Sequence, residues 1–105
     1  SSIIMSDTVI GRDSLIDYSI LDKRVVVEAG CNVGFSNDFQ VNKEEPKVLN
    51  TGITIIGKGA KIPVGATIGR NCAIFSNVTE KDFRKLSVES GETIRAKRHR
   101  TSRKE

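Results

Sequence analysis

Ile56-Gly57-Lys58-Gly59-Ala60-Lys61, Ile62-Pro63-Val64-Gly65-Ala66-Thr67, Ile68-Gly69-Arg70-Asn71-Cys72-Ala73, Ile74-Phe75-Ser76-Asn77-Val78-Thr79: four consecutive blocks of six open on isoleucine. Each carries a small or β-branched residue at its fifth place: Ala60, Ala66, Cys72, Val78. The start of the chain repeats the pattern, with aliphatic openers at Ile4, Ile10, Ile16, Leu21, Val27 and Val33, and one short step of five between Ile16 and Leu21. Only the first and fifth places want to be apolar and compact. Between them stand Gly11, Asp17, Gly57, Gly59, Gly65, Gly69 and Asn71, residue types that accept tight or left-handed backbone. A short strand and a corner, three times over, return the chain above its own start. Each circuit then stacks on the last at the strand spacing of about 4.8 Å. The expected product is a parallel β-helix of triangular section, with the openers along its axis and the fifth residues near its corners.

Rival folds fare worse. The apolar places do not recur at i, i+3, i+4, i+7, and each glycine would cost a helix about 1 kcal/mol relative to alanine. Ile53-Thr54-Ile55 and Val25-Val26-Val27 would serve as strands of an antiparallel sandwich, but hairpins need no fixed six-residue step. The fold class is therefore all-β, a β-helix of about three to four coils. Residues 36–52 break the period, are polar, carry Pro46, and are expected to form a loop thrown out of the stack. Residues 79–94 are expected to close the far end. There Thr79 to Asp82 resembles a capping box before a single helical turn, Leu86-Ser87-Val88 alternates as a strand, and Ser90-Gly91 turns. Residues 1–94 thus make one β-helix domain. Ser1 stands three residues before the first opener, as if the domain were cut from a larger chain with an N-terminal partner.

At 105 residues the chain has room for one domain. No apolar run approaches the roughly 18–20 residues of a membrane span. No secretory leader is recognisable. Cys31 and Cys72 are too few for a disulfide scaffold and lack zinc spacing, which suits a reducing cytoplasm. The net charge of +4 is concentrated at residues 95–105, where Arg95, Lys97, Arg98, Arg100, Arg103 and Lys104 face Glu105 alone. This basic tail is expected to be disordered and solvated. Nucleic acid is not the expected partner, because Tyr18, Phe35, Phe39, Phe75 and Phe83 are the only aromatics and form no stacking platform.

Three segments carry a family resemblance: Ser2-Ile3-Ile4-Met5-Ser6-Asp7, Ile20-Leu21-Asp22-Lys23, and Leu49-Asn50-Thr51-Gly52-Ile53-Thr54-Ile55-Ile56-Gly57-Lys58-Gly59-Ala60-Lys61-Ile62-Pro63. The repeats resemble those of the left-handed β-helix hexapeptide proteins. Within that group the three segments are most similar to the C-terminal domains of bacterial glucose-1-phosphate adenylyltransferases, over about residues 2–94. The hand of the helix is implied by the resemblance alone, since the period does not fix it. The resemblance further implies a parent enzyme that joins ATP and glucose 1-phosphate into ADP-glucose and pyrophosphate, for glycogen synthesis. Its catalysis and its Mg²⁺ would belong to an N-terminal domain with a Gly-rich loop. This chain would carry no catalytic residue, no metal and no cofactor. Its implied roles are packing on the catalytic domain, building a homotetramer, and effector control. A guanylyltransferase parent stays open, because base and sugar are chosen in the other domain. A stand-alone acyltransferase-type module would need a positioned histidine base, and the single His99 sits in the tail, outside every repeat. Cys31 and Cys72 occupy fifth places and are expected to be buried, inert thiols.

Two surface features remain. The place before each opener faces outward, so Ile3 should lie under Ile20 and Val9 under Val26, giving two apolar ladders expected to contact the catalytic domain or another subunit. The third outer face pairs Leu15 with Asn32 and is mixed. The resemblance also implies that Asp22-Lys23 lines an effector pocket for a phosphorylated metabolite or phosphate, with Arg24 beside it. Plant-type relatives of the family carry a lysine just before the Ser/Thr-Gly-Ile motif, where this chain has Asn50.

Overall fold

The structure, a computed structural model, describes residues 2–97. Every strand is two or three residues long, as a corner every six residues demands. β1 (Ser2–Ile4), β2 (Val9–Ile10) and β3 (Leu15–Ile16) form the first coil. β4 (Ser19–Leu21), β5 (Val26–Val27) and β6 (Asn32–Val33) form the second, and β7 (Thr54–Ile56), β8 (Lys61–Ile62) and β9 (Thr67–Ile68) the third. β10 (Ala73–Ile74), a 3-10 turn (Glu80–Asp82), β11 (Ser87–Val88) and β12 (Thr93–Ile94) complete the described chain. Three parallel sheets result: sheet A in the order β1-β4-β7-β10-β12, sheet B β2-β5-β8, and sheet C β3-β6-β9-β11.

The register sets opener on opener. Ile4, Leu21, Ile56, Ile74 and Ile94 stack in sheet A, Ile10, Val27 and Ile62 in sheet B, and Ile16, Val33, Ile68 and Val88 in sheet C. The β-helix is as expected: its twelve strands among the described residues make about four triangular coils, with β12 added as a fifth strand of sheet A. Residues 79–94 do more than close the end. The Thr79 capping box forms, with Thr79 N–H donating to Asp82 Oδ2 (2.9 Å) and Thr79 Oγ1 accepting from Lys81 N–H (3.3 Å). The segment then returns to the period, placing Val88 and Ile94 as two further openers.

Corners explain the intervening residues. Asp7, Asp13, Arg24, Gly30, Gly59, Gly65, Asn71 and Asn77 each follow an opener by three places, and all have φ between 56° and 75°. In the shortened block the left-handed residue is Tyr18, at φ 45°. Gly11, Gly57 and Gly69 are not left-handed, and neither is Asp17. The three glycines serve close approach instead: a Cβ on each would lie 2.6 Å from the Glu28 carbonyl carbon, the Ser76 nitrogen and Ser90 Oγ, respectively.

The core holds Leu21, Val27, Val33, Ile56, Ile62, Ile68 and Ile74 together with the fifth residues Val25, Cys31, Ala60, Ala66, Cys72 and Val78, all buried. The first coil differs. Ile4 is 47% exposed and Ile10 and Ile16 are only half-buried, because among the described residues no coil covers their outer side.

The 36–52 segment departs from its expectation. It contains no strand, but it is not thrown clear of the stack. It folds back, burying Asn42 and Leu49. Asn42 Nδ2 donates to Asn71 O (3.0 Å) and Thr93 Oγ1 (3.1 Å), while its Oδ1 accepts from Glu44 N–H (3.0 Å) and Glu45 N–H (2.9 Å). Asn71 holds the base of the loop, its Oδ1 accepting from Gly52 N–H (2.7 Å) and its Nδ2 donating to Gln40 O (3.2 Å). Arg70 lies between the Tyr18 and Phe39 rings, 4.4 and 4.5 Å from their centroids, and its Nε donates to Ser36 O (2.8 Å). The first tail residues also pack: Arg95 covers the Phe75 ring at 4.2 Å and pairs with Glu44, and Lys97 N–H donates to Asp82 Oδ1 (2.9 Å). The rest of the tail, His99 included, lies outside the described residues.

Candidate functional site at the corner between sheets A and B

Asp22, Lys23 and Arg24 are consecutive at the corner from β4 to β5. Their local shape follows from sequence. Asp22 Oδ1 accepts from the N–H of the next residue, Lys23 (2.6 Å). Arg24 takes the left-handed place at φ 57°, which a bulky residue seldom occupies. The corner is tied to its neighbours by a ladder of main-chain bonds: Arg24 N–H to Ser6 O (3.2 Å), Gly59 N–H to Lys23 O (3.0 Å), and Asn77 N–H to Lys58 O (3.0 Å). Thr8 Oγ1 donates to Asp22 O (2.9 Å) and fixes the first coil to the second. The Lys23 and Arg24 side chains remain exposed. The structure thus brings the three expected residues together on one ridge. It adds Lys58, two residues beyond Ile56 as Lys23 is beyond Leu21, directly below Lys23 in the stack.

Apolar ladders flank that ridge. In sheet A, Ile3 pairs with Ile20 and Ile20 with Ile55. In sheet B, Val9 pairs with Val26, and Val26 with Lys61. Ile3 and Val9 are 58% and 57% exposed, while Ile20 and Val26 are half-buried. Ile55 extends the sheet A ladder and was not among the expected interface residues. Below it, Val48 from the folded-back loop, Ile55 and Phe75 line a groove of about 280 Å³. Leu15 faces Asn32 on sheet C, the mixed face.

The cysteines are buried and free. Burial pushes the Cys72 thiol up from its ordinary range, and its Sγ donates to Glu89 O (3.2 Å). Cys31 Sγ donates to Pro63 O (3.1 Å). Neither is placed as a nucleophile. Among the described residues, no group of three or more His, Cys, Asp or Glu side chains could hold a metal ion. No helix among them is long and apolar enough to cross a membrane.

The chain is similar to several curated glucose-1-phosphate adenylyltransferases. The protein of that name from Thermomicrobium roseum is 45% identical over 93 residues, covering 89% of this chain and 22% of the relative. That from Acetivibrio thermocellus is 33% identical over 93 residues, with the same coverage, and that from Pseudothermotoga lettingae is 39% identical over 72 residues, covering 69% and 17%. The chain therefore spans about a fifth of the length of these relatives. No solved structure matches it. Residues 1–56 match the family described as GlmU-like, C-terminal hexapeptide. With opener stacked on opener through three parallel sheets, the chain belongs to that hexapeptide family, and its β-helix takes the family's left hand.

Proposed function

We propose that this chain is the C-terminal structural, oligomerising and regulatory domain of a cytoplasmic glucose-1-phosphate adenylyltransferase, itself non-catalytic. The carrying observation is the 45% identity over 93 residues, which runs through the looped segment and so matches more than a generic six-residue period. The nucleotide loop, the Mg²⁺ carboxylates and the choice of ATP and glucose 1-phosphate would lie in a preceding catalytic domain. What this chain supplies is a stiff prism with a cationic ridge between two apolar ladders. Ile3, Ile20, Val9 and Val26 would pack on the catalytic domain or a neighbouring subunit of a tetramer, since aligned exposed aliphatics are characteristic of interfaces. Asp22, Lys23 and Arg24 would bind the anionic part of a phosphorylated metabolite or phosphate.

The reading frame upstream of Ser1 tests the parent: a Gly-rich nucleotide-binding domain is expected there, and a frame starting within a few residues of Ser1 would refute it. For the regulatory role, the parent enzyme's response to phosphate esters is compared with that of Lys23→Ala. A lost response with intact basal activity is expected, and an unchanged response removes Lys23 from the effector site.

A further inference from the structure

We propose that the 36–52 segment makes this chain self-pairing: the turn that carries Lys47 and Val48 in one copy seats in the groove beside Ile55 of a second copy, and the reverse. The inference rests on the reading of this chain as an oligomerising domain and deepens it. The outer side of sheet A carries a projection and a hollow next to each other. The projection is a fixed turn. Glu45 O accepts from Val48 N–H (3.1 Å) and Leu49 N–H (3.0 Å), and Asn50 Nδ2 donates to Pro46 O (3.0 Å). Leu49 is thereby held inward at 6% exposed while Val48 stands out at 68%, with Lys47 exposed beside it. The hollow is the groove of about 280 Å³, to which the turn gives Val48 and Glu45, and sheet A with its following corner gives Ile55, Ala73 and Phe75.

An isologous contact is one patch meeting itself, so it needs a projection and a matching hollow on the same surface. A two-fold axis lying in the plane of this face carries each Val48 into the other copy's groove. The charges agree with that placement. Lys47 and Glu45 have no ion pair among the described residues, in contrast to Lys43 with Glu92 and Arg95 with Glu44. Across the two-fold axis Lys47 of one copy faces Glu45 of the other, and the pair occurs twice. The apolar row runs on from Ile55 through Ile20 to Ile3, so the contact is apolar at its centre and charged at its rim, the usual anatomy of an interface. Sheet B is less suited to self-contact, because its ladder of Val9 and Val26 runs into Lys61. The turn is hydrogen-bonded in place and Phe75 is covered by Arg95 at 4.2 Å, so little further ordering accompanies docking.

Sedimentation of the full chain over a range of concentrations is the test. Wild type should pass reversibly from monomer to dimer. Val48→Asp places a carboxylate in each groove and should weaken dimerisation at least about a hundredfold. Lys47→Glu and Glu45→Lys should each weaken it about tenfold, and the two together should return it to within about threefold of wild type, because the pair is then reversed. Preserved amide dispersion shows that each variant is folded, and Val48→Ala, with about tenfold weakening, replaces Val48→Asp if that variant is not. If Val48→Asp dissociates the dimer but the charge reversal does not rescue it, the two-fold seating of turn in groove is wrong. A dimer untouched by Val48→Asp and lost in Val9→Lys with Val26→Lys overturns this interface and leaves the oligomerising reading standing on sheet B. A wild-type chain that is monomeric at every concentration overturns both, and leaves the groove to the preceding domain of the parent.

Discussion

At the scale of single residues, glycine serves two purposes that the repeat superimposes. Gly65 has φ +75° and open space around the missing Cβ, whereas Gly57 has ordinary φ and a neighbouring coil 2.6 Å from it. Gly57→Ala should therefore cost about 1–3 kcal/mol as overpacking against backbone. Gly65→Ala should cost about 1–2 kcal/mol as left-handed strain, and Gly65→Asn less, since asparagine already holds that place at Asn71 and Asn77. Denaturant midpoints of the three variants check the order. Cys72 gives a second prediction. Burial raises its pKa above that of a free thiol, so the unfolded thiol ionises before the folded one. Its contribution to stability is complete below pH 9 and is lost as pH rises through the folded pKa. Alkylation of the native chain at pH 8 should accordingly be limited by unfolding, which iodoacetamide kinetics with and without denaturant would reveal.

At the scale of elements, the 36–52 segment is a strap held by two buried amides, Asn42 within it and Asn71 beneath it. Asn42 satisfies two loop N–H groups and reaches three acceptors on later coils, Asn71 O, Glu92 O and Thr93 Oγ1. Asn42→Ala leaves these groups unpaired, a loss of about 1–3 kcal/mol for a buried donor or acceptor. Faster tryptic cleavage after Lys43 or Lys47 is the expected sign, and unchanged cleavage would show that Leu49, Asn71 and Arg70 hold the strap without Asn42. Lys43→Ala, which removes an exposed ion pair, should leave the denaturation midpoint where it is.

At the scale of the whole molecule, three sheets turn a one-dimensional repeat into three faces of different character. Sheets A and B begin with exposed aliphatic ladders, and sheet C pairs Leu15 with Asn32. Val9→Lys with Val26→Lys changes one face without touching the axis. If that face is an interface, the double variant should sediment as a smaller species at equal concentration, and unchanged sedimentation would count against it. The first coil, with Ile4 47% exposed against 0% for Leu21 beneath it, should be the first to exchange its amides. Stability in a stacked repeat comes from neighbours on both sides.

The sequence by itself determined the period, the inward openers, the buried fifth residues, the capping turn at Thr79 and the outward ladders. Each of these depends on residues within a block or one coil apart, where side-chain chemistry and backbone preference act locally. Only the tertiary structure decided what lies across breaks in the period. The 36–52 segment hides the alignment of Lys23 with Lys58, and the 14 residues from Ile74 to Val88 hide the last two openers. The burial of Asn42 and Leu49 inside a polar stretch was likewise invisible, because their partners, Asn71 and Thr93 among them, lie on later coils. Register across an interruption is set by which rungs pair in space, and no local pattern encodes how a loop of free length returns to the stack.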